Sequence, residues 1–128
     1  MKSTPANRSA KKTSGSLGYI PDRGDIVRMS FSPQAGHEQA NRRPALVLSP
    51  KSYNGTVGLV IVVPITSKMK GYRFEVALPT SLETQGAVLS DQLENLDWRA
   101  RDAVFEETAP EAVLDEVTAR VAALLAIR

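Results

Sequence analysis

The sequence predicts a mainly β domain with added helix: a small, strongly bent antiparallel sheet or partly open barrel, with a C-terminal helix packed on it. Three observations carry this. Short runs rich in β-branched residues, "DIVRMSF", "PALVLSP" and "GLVIVVPI", recur between turn-forming residues. "GYRFEVALP" alternates Tyr72, Phe74, Val76 and Leu78 against Arg73, Glu75 and Ala77, the period of a strand with one wet face. Only the last stretch changes to a helical period.

Taken in order, residues 1–18 hold Lys2, Arg8, Lys11 and Lys12 among Ser, Thr, Gly and Pro, and almost no large apolar side chain. Such a segment buries too little surface to offset its ordering entropy, so a disordered basic tail is expected, with the folded domain spanning 19–128. Pro21 and Gly24 mark a turn before a first strand at Asp25 to Phe31. Ser32 to Arg43 is then a polar loop, long for a hairpin connection, and long loops in small domains often carry function. Pro44 to Pro50 and Gly58 to Ile65 read as central strands joined through "KSYNGTV", where Asn54-Gly55 favours a tight turn. The alternating "GYRFEVALP" should pair with its neighbour, and another strand begins at Gly86 and runs into a less regular region ending near Trp98. Thr108 and Glu111 resemble a capping box, after which Val113, Leu114, Val117, Val121, Leu124 and Leu125 share one stripe.

Composition narrows the chemistry. With 128 residues the chain is one domain by length, and no apolar run approaches the roughly 20 residues that cross a bilayer. It has no cysteine and one histidine, and no apolar leader at its start; a cytoplasmic location is expected, and thiolate zinc sites, disulfides and cysteine nucleophiles drop out. There is no HExxH, GxxxxGK[ST] or GxGxxG, so no zinc and no nucleotide cofactor is expected; a magnesium site, which needs only one or two carboxylates, stays open by composition, although Glu38 and Asp91 are not obviously paired. The tail contributes +4 to a whole-chain charge of +2, leaving the rest at −2. Within that rest, cations gather between Arg23 and Arg73 and acids dominate from Glu75 onward, so a polyanion would find its favourable field in the first half of the domain.

That half contains "GHEQANRRPALVLSP", Gly36 to Pro50, with His37, Glu38, Arg42 and Arg43 ahead of a buried strand. Two readings are open: a surface ion pair between Glu38 and Arg43, worth little, or an arginine held by Pro44 and aimed at a phosphate. His37 is a further candidate base, because imidazole titrates near neutrality.

"GHEQANRRPALVLSP", "VVPITSKMKGYRFEV" and "GAVLSDQLENLDWRAR" resemble the successive signature blocks of the MazF/PemK family of toxin endoribonucleases, from about Tyr19 to Leu125. The residues that carry the resemblance are Gly36, Glu38, Gln39, Arg43 and Pro44, then Pro64, Thr66, Gly71, Tyr72, Phe74 and Glu75, then Asp91, Gln92 and Trp98. The resemblance implies an SH3-like, partly open barrel acting as a homodimer. It further implies a metal-independent enzyme that cuts single-stranded RNA, chiefly messenger RNA, at a short sequence. A cognate antitoxin with an acidic C-terminal tail would hold it inactive.

By the same resemblance Arg43 and Thr66 occupy the family's catalytic positions. Arg43 would neutralise the pentavalent phosphorane and Thr66 would donate to a non-bridging oxygen; Glu38 would orient Arg43 or serve as base. His37, Gln39, Lys68, Lys70 and Gln92 are the expected RNA contacts. In one branch of the family an aspartate at the place of Asp91 acts with an arginine two residues earlier, but Leu89 stands there in this chain, which favours a structural hydrogen bond for Asp91. Arg99 and Arg101 would meet phosphates or a dimer partner, and Trp98 would anchor packing. The competing function is a non-catalytic, CcdB-like poison of DNA gyrase on the same fold. Its carboxyl-terminal Trp-Gly-Ile is replaced here by Leu125-Ala126-Ile127-Arg128.

Overall fold

The structure, a computed structural model, describes residues 18–32 and 41–127. The expected basic tail and the residues His37, Glu38 and Gln39 lie outside the described residues. Seven strands and two helices follow in the order β1 Asp25–Ser30, β2 Arg42–Val47, α1 Lys51–Val57, β3 Leu59–Thr66, β4 Glu75–Ala77, β5 Ala87–Leu89, β6 Glu94–Asp97, β7 Val104–Thr108 and α2 Glu111–Leu124.

Every pairing is antiparallel, in the order β4-β5-β3-β2-β1-β7 with β6 added beside β3. The bend comes from β3. Along one edge it pairs Leu59 to Val62 with β6, then Ile65 and Thr66 with β5. One edge serves one neighbour at a time, so the change of partner splits the sheet into two leaves that share β3. Pro64, which has no N–H to donate, sits in the gap between the two partners.

Both faces of the central strands are buried, and this explains why their runs are continuously apolar rather than alternating. Ile26, Leu46, Val63 and Ile65 pack on one side with Val113 and Val117 of α2. Val27, Met29, Ala45, Val47, Val60 and Val62 pack on the other with Tyr19 and Trp98. Each buried Val, Leu, Ile or Met among them contributes about 1.5–3 kcal/mol relative to exposure.

Several expectations need correction. "KSYNGTV" is a helix, not a tight turn. Asn54 is fully buried: its Nδ2 donates to the carbonyls of Pro21 (2.8 Å) and Ser49 (3.0 Å), and its Oδ1 accepts from Ser49 Oγ (2.6 Å). The chain reverses later, at Gly58, whose φ of 83° suits glycine and whose N–H bonds Asn54 O. The alternating stretch around Phe74 is strand only over Glu75–Ala77, while Glu94–Asp97 and Val104–Thr108 form two further strands, β6 and β7. No capping box forms. Thr108 ends β7, Ala109 N–H donates to Gly24 O at 2.9 Å, and α2 starts after Pro110 without a side-chain cap. The helical stripe is buried at Val113 and Val117 and half-buried at Leu114 and Val121, but Leu124 and Leu125 are exposed.

Candidate active site

Arg43 lies within β2, not at the end of a loop, because the strand begins at Arg42. The register Ala45↔Pro64, Leu46↔Val63, carried on along both strands, brings Arg43 opposite Thr66 on the adjacent strand. Residues so placed on an antiparallel pair present their side chains on the same face. Across the hairpin base, Phe31 N–H donates to Asn41 O at 3.1 Å, and the Arg43 guanidinium carbon stands 5.7 Å from the centre of the Phe31 ring.

The two adjacent arginines have opposite fates. Arg42 is spent on main chain: Nη2 donates to the carbonyls of Arg28 (3.0 Å) and Asp102 (2.8 Å), and Nη1 donates to Arg101 O (3.4 Å). Arg43 is exposed, and among the described residues its donors meet no acceptor. It borders a cleft of about 960 Å³ that also takes in Arg28, Pro44, Thr66, Lys68 and Gln85.

Thr66 is the last residue of β3. Its Oγ1 accepts the Lys68 N–H at 3.0 Å, so its own hydroxyl hydrogen is left to donate elsewhere. Gly86 holds the other side of this turn. Its φ is 119°, and a Cβ there would lie 2.0 Å from Thr66 O, so only glycine permits this approach. The loop after Thr66 is shaped by Glu75, whose carboxylate accepts from Lys70 N–H (2.9 Å) and Gly71 N–H (2.7 Å). Lys68 therefore reaches the cleft, whereas Lys70 is exposed outside its lining.

Asp91 and Gln92 stand apart from this cleft. Tyr72 Oη donates to Asp91 Oδ1 at 2.6 Å, and that hydrogen bond to a carboxylate is the main cause that raises the Tyr72 pKa. Gln92 lies at the same hydroxyl and opposes the shift. Arg99 stacks 4.1 Å above the Trp98 ring, Arg101 Nη1 donates to Ser30 O (3.2 Å), and neither lines the cleft. Trp98 is the buried anchor expected of it, with Nε1 donating to Asn54 O at 2.9 Å.

Sequence reasoning missed the wall facing Thr66. Pairing of β1 with β7 slips between Ile26 and Val27, which leaves Glu106 as the extra residue of a bulge. Neighbouring Glu106 and Glu107 both reach Thr84 as a result. Glu107 accepts the N–H groups of Glu83 (3.2 Å) and Thr84 (2.6 Å). Glu106 accepts from Thr84 Oγ1 (3.2 Å) and from Arg28 Nε (2.7 Å), so Arg28 is neutralised in place. The adjacent acids in "VFEET" were the available signal, but only the bulge reveals that both point to one turn. Among the described residues no three of His, Cys, Asp and Glu converge on one point, and no helix is long and apolar enough to cross a membrane.

Residues 22–125 match a family model described as the PemK-like, MazF-like toxin of type II toxin-antitoxin systems. The chain is 42% identical over 107 residues to the endoribonuclease toxin MazF of Escherichia coli K12, covering 84% of this chain and 96% of that one. A crystal structure of MazF from Deinococcus radiodurans is 52% identical with a TM-score of 0.78, over 85% of this chain and 99% of that chain. A MazE-MazF crystal structure from the same organism gives 49% identity and a TM-score of 0.79, over 86% and 100%. The bent sheet and C-terminal helix are thus those of the MazF-type toxins. The chain belongs to the PemK-like, MazF-like toxins of type II toxin-antitoxin systems.

Proposed function

We propose that this chain is the toxin of such a pair, a metal-independent endoribonuclease that cuts single-stranded RNA, chiefly messenger RNA, within a short recognition sequence. One observation supports the site above others: Arg43, its donors unengaged among the described residues, stands across two paired strands from the Thr66 hydroxyl, while Arg42 beside it is consumed by carbonyls.

In the proposed reaction the RNA 2′-oxygen attacks the neighbouring phosphorus and the bond to the 5′-oxygen breaks. The 2′-hydroxyl proton passes to a base and the departing oxygen receives one, leaving a 2′,3′-cyclic phosphate and a 5′-hydroxyl. The extra charge on phosphorus is greatest between these events. The fork of guanidinium donors at Arg43 and the hydroxyl hydrogen of Thr66 would bind it there more strongly than in the ground state. A guanidinium stays protonated near neutrality, so Arg43 stabilises charge and is not the base. Glu38 serves to orient Arg43 or to take the proton. Lys68 holds a flanking phosphate, and His37, Gln39, Lys70 and Gln92 extend the RNA path. The working unit is a homodimer in the cytoplasm, and a cognate antitoxin lays its acidic C-terminal tail along the cationic side of the cleft. The family match and the endoribonuclease names of the relatives favour the nuclease over a gyrase poison.

Purified protein with RNA in EDTA tests the reading. Discrete cuts with cyclic phosphate ends are expected, and their rate should fall about 100- to 1,000-fold in Arg43→Ala while the fold persists. Loss of cutting in EDTA, or normal cutting by Arg43→Ala, would refute this mechanism.

A further inference from the structure

The two sides of the cleft differ in hydrogen-bonding character. The Arg43 and Lys68 side offers donors and positive charge. The opposite wall, the turn at 82–86, is held by Glu107 through its N–H groups, so it is a fixed surface, not a loose loop. Beside it Glu106 already accepts from Arg28 and Thr84, one bond on each oxygen. Two polar ends are left: the Glu83 carboxylate, which meets no donor among the described residues, and the side chain of Gln85.

Gln85 is not ambiguous in orientation. Its Nε2 donates to Leu82 O at 2.6 Å and lies 3.3 Å from Thr80 O. Turning the amide over would set its oxygen against two carbonyl oxygens, so the nitrogen must face them. Both amide hydrogens are therefore engaged, and the carbonyl Oε1 is the end available to a ligand. A flexible amide that normally offers donor and acceptor alike is converted into an acceptor alone.

We infer that Gln85, with Glu83, is a specificity-determining residue that selects an amino-bearing base next to the scissile phosphate and disfavours uracil. The inference rests on the nuclease reading above and names how that same cleft reads its substrate. Phosphate goes to the cationic side, and the attached base is turned toward the acceptor wall. Single-stranded RNA is read on such exposed base edges. Adenine and cytosine present an exocyclic amine, and guanine presents an amine beside a ring N–H. Uracil has a single N–H flanked by two carbonyl oxygens, which meet acceptors with repulsion.

The test is end-mapping of cuts in a randomised RNA library by the full-length protein, its Gln85→Leu and Gln85→Ala variants, and Arg43→Ala. At one position beside the cut, the unaltered protein should disfavour uracil by about tenfold or more, the scale of a well-made base contact. Both Gln85 variants should lose most of that discrimination while still cutting. Wild-type indifference to uracil at every flanking position overturns the inference, as does an unchanged preference in both variants or a uniform rate loss at all sites. Those results leave the nuclease reading intact provided Arg43→Ala is strongly impaired. Absence of any cutting by the unaltered protein sinks both together.

Discussion

Two arginines adjacent in sequence are placed in opposite ways, Arg42 against main-chain carbonyls and Arg43 at the cleft. Arg42 is mostly buried and bonded to three carbonyls; Arg101 O keeps the Ser30 N–H as a partner, but Arg42→Ala removes the side-chain donor from the carbonyls of Arg28 and Asp102 and should cost about 1–3 kcal/mol in urea unfolding. Arg43 is exposed, so Arg43→Ala should leave the unfolding midpoint almost unchanged while lowering the cleavage rate about 100- to 1,000-fold. Gly86→Ala couples the two effects. A left-handed φ and a backbone contact with Thr66 O predict a loss of about 2 kcal/mol or more, with a fall in activity as Thr66 is displaced. At Tyr72 the phenolate would sit beside the Asp91 carboxylate, so the protonated form is favoured and persists above the usual tyrosine value. The folded state therefore keeps this preference at lower pH and loses it as pH rises through the raised pKa. An ultraviolet phenolate titration should show this group ionising late, and Asp91→Asn should bring its ionisation to lower pH.

At the scale of elements, short pieces of structure hold the site by polar contacts with the chain around them. Helix α1 is seven residues, too short to be stable by itself, and Asn54 ties it to Pro21 and Ser49. Asn54→Ala leaves two buried carbonyls unpaired and should lower stability by about 2–4 kcal/mol, read as a drop in the thermal or urea midpoint. The strand-rich order, the central place of β3 and the terminal helix were readable from apolar runs and their change of period. Strand β7 was not, because "VFEET" carries two adjacent acids and no clean alternation, and its bulge exists only against β1. The capping box failed for a related reason: Ala109 stays hydrogen-bonded to Gly24, which keeps Thr108 in the sheet.

For the molecule as a whole, one cleft gathers Arg28, Arg43 and Lys68 from the cation-rich half and Glu83 and Glu106 from the acid-rich half. RNA affinity should fall with salt, and Lys68→Ala should reduce the slope of log affinity against log salt by about 0.7, one phosphate contact on a single strand. An unchanged slope would remove Lys68 from the RNA path. By itself the sequence determined the class of fold, the apolar centre, the segregation of charge and the family, because periodicity, composition and ordered motifs are local properties of the chain. Only the tertiary structure decided which of two arginines is spent on the backbone, that Arg43 faces Thr66, and that Gln85 offers its oxygen. Each of these depends on hydrogen bonds and strand register between segments far apart in sequence, which no local pattern encodes.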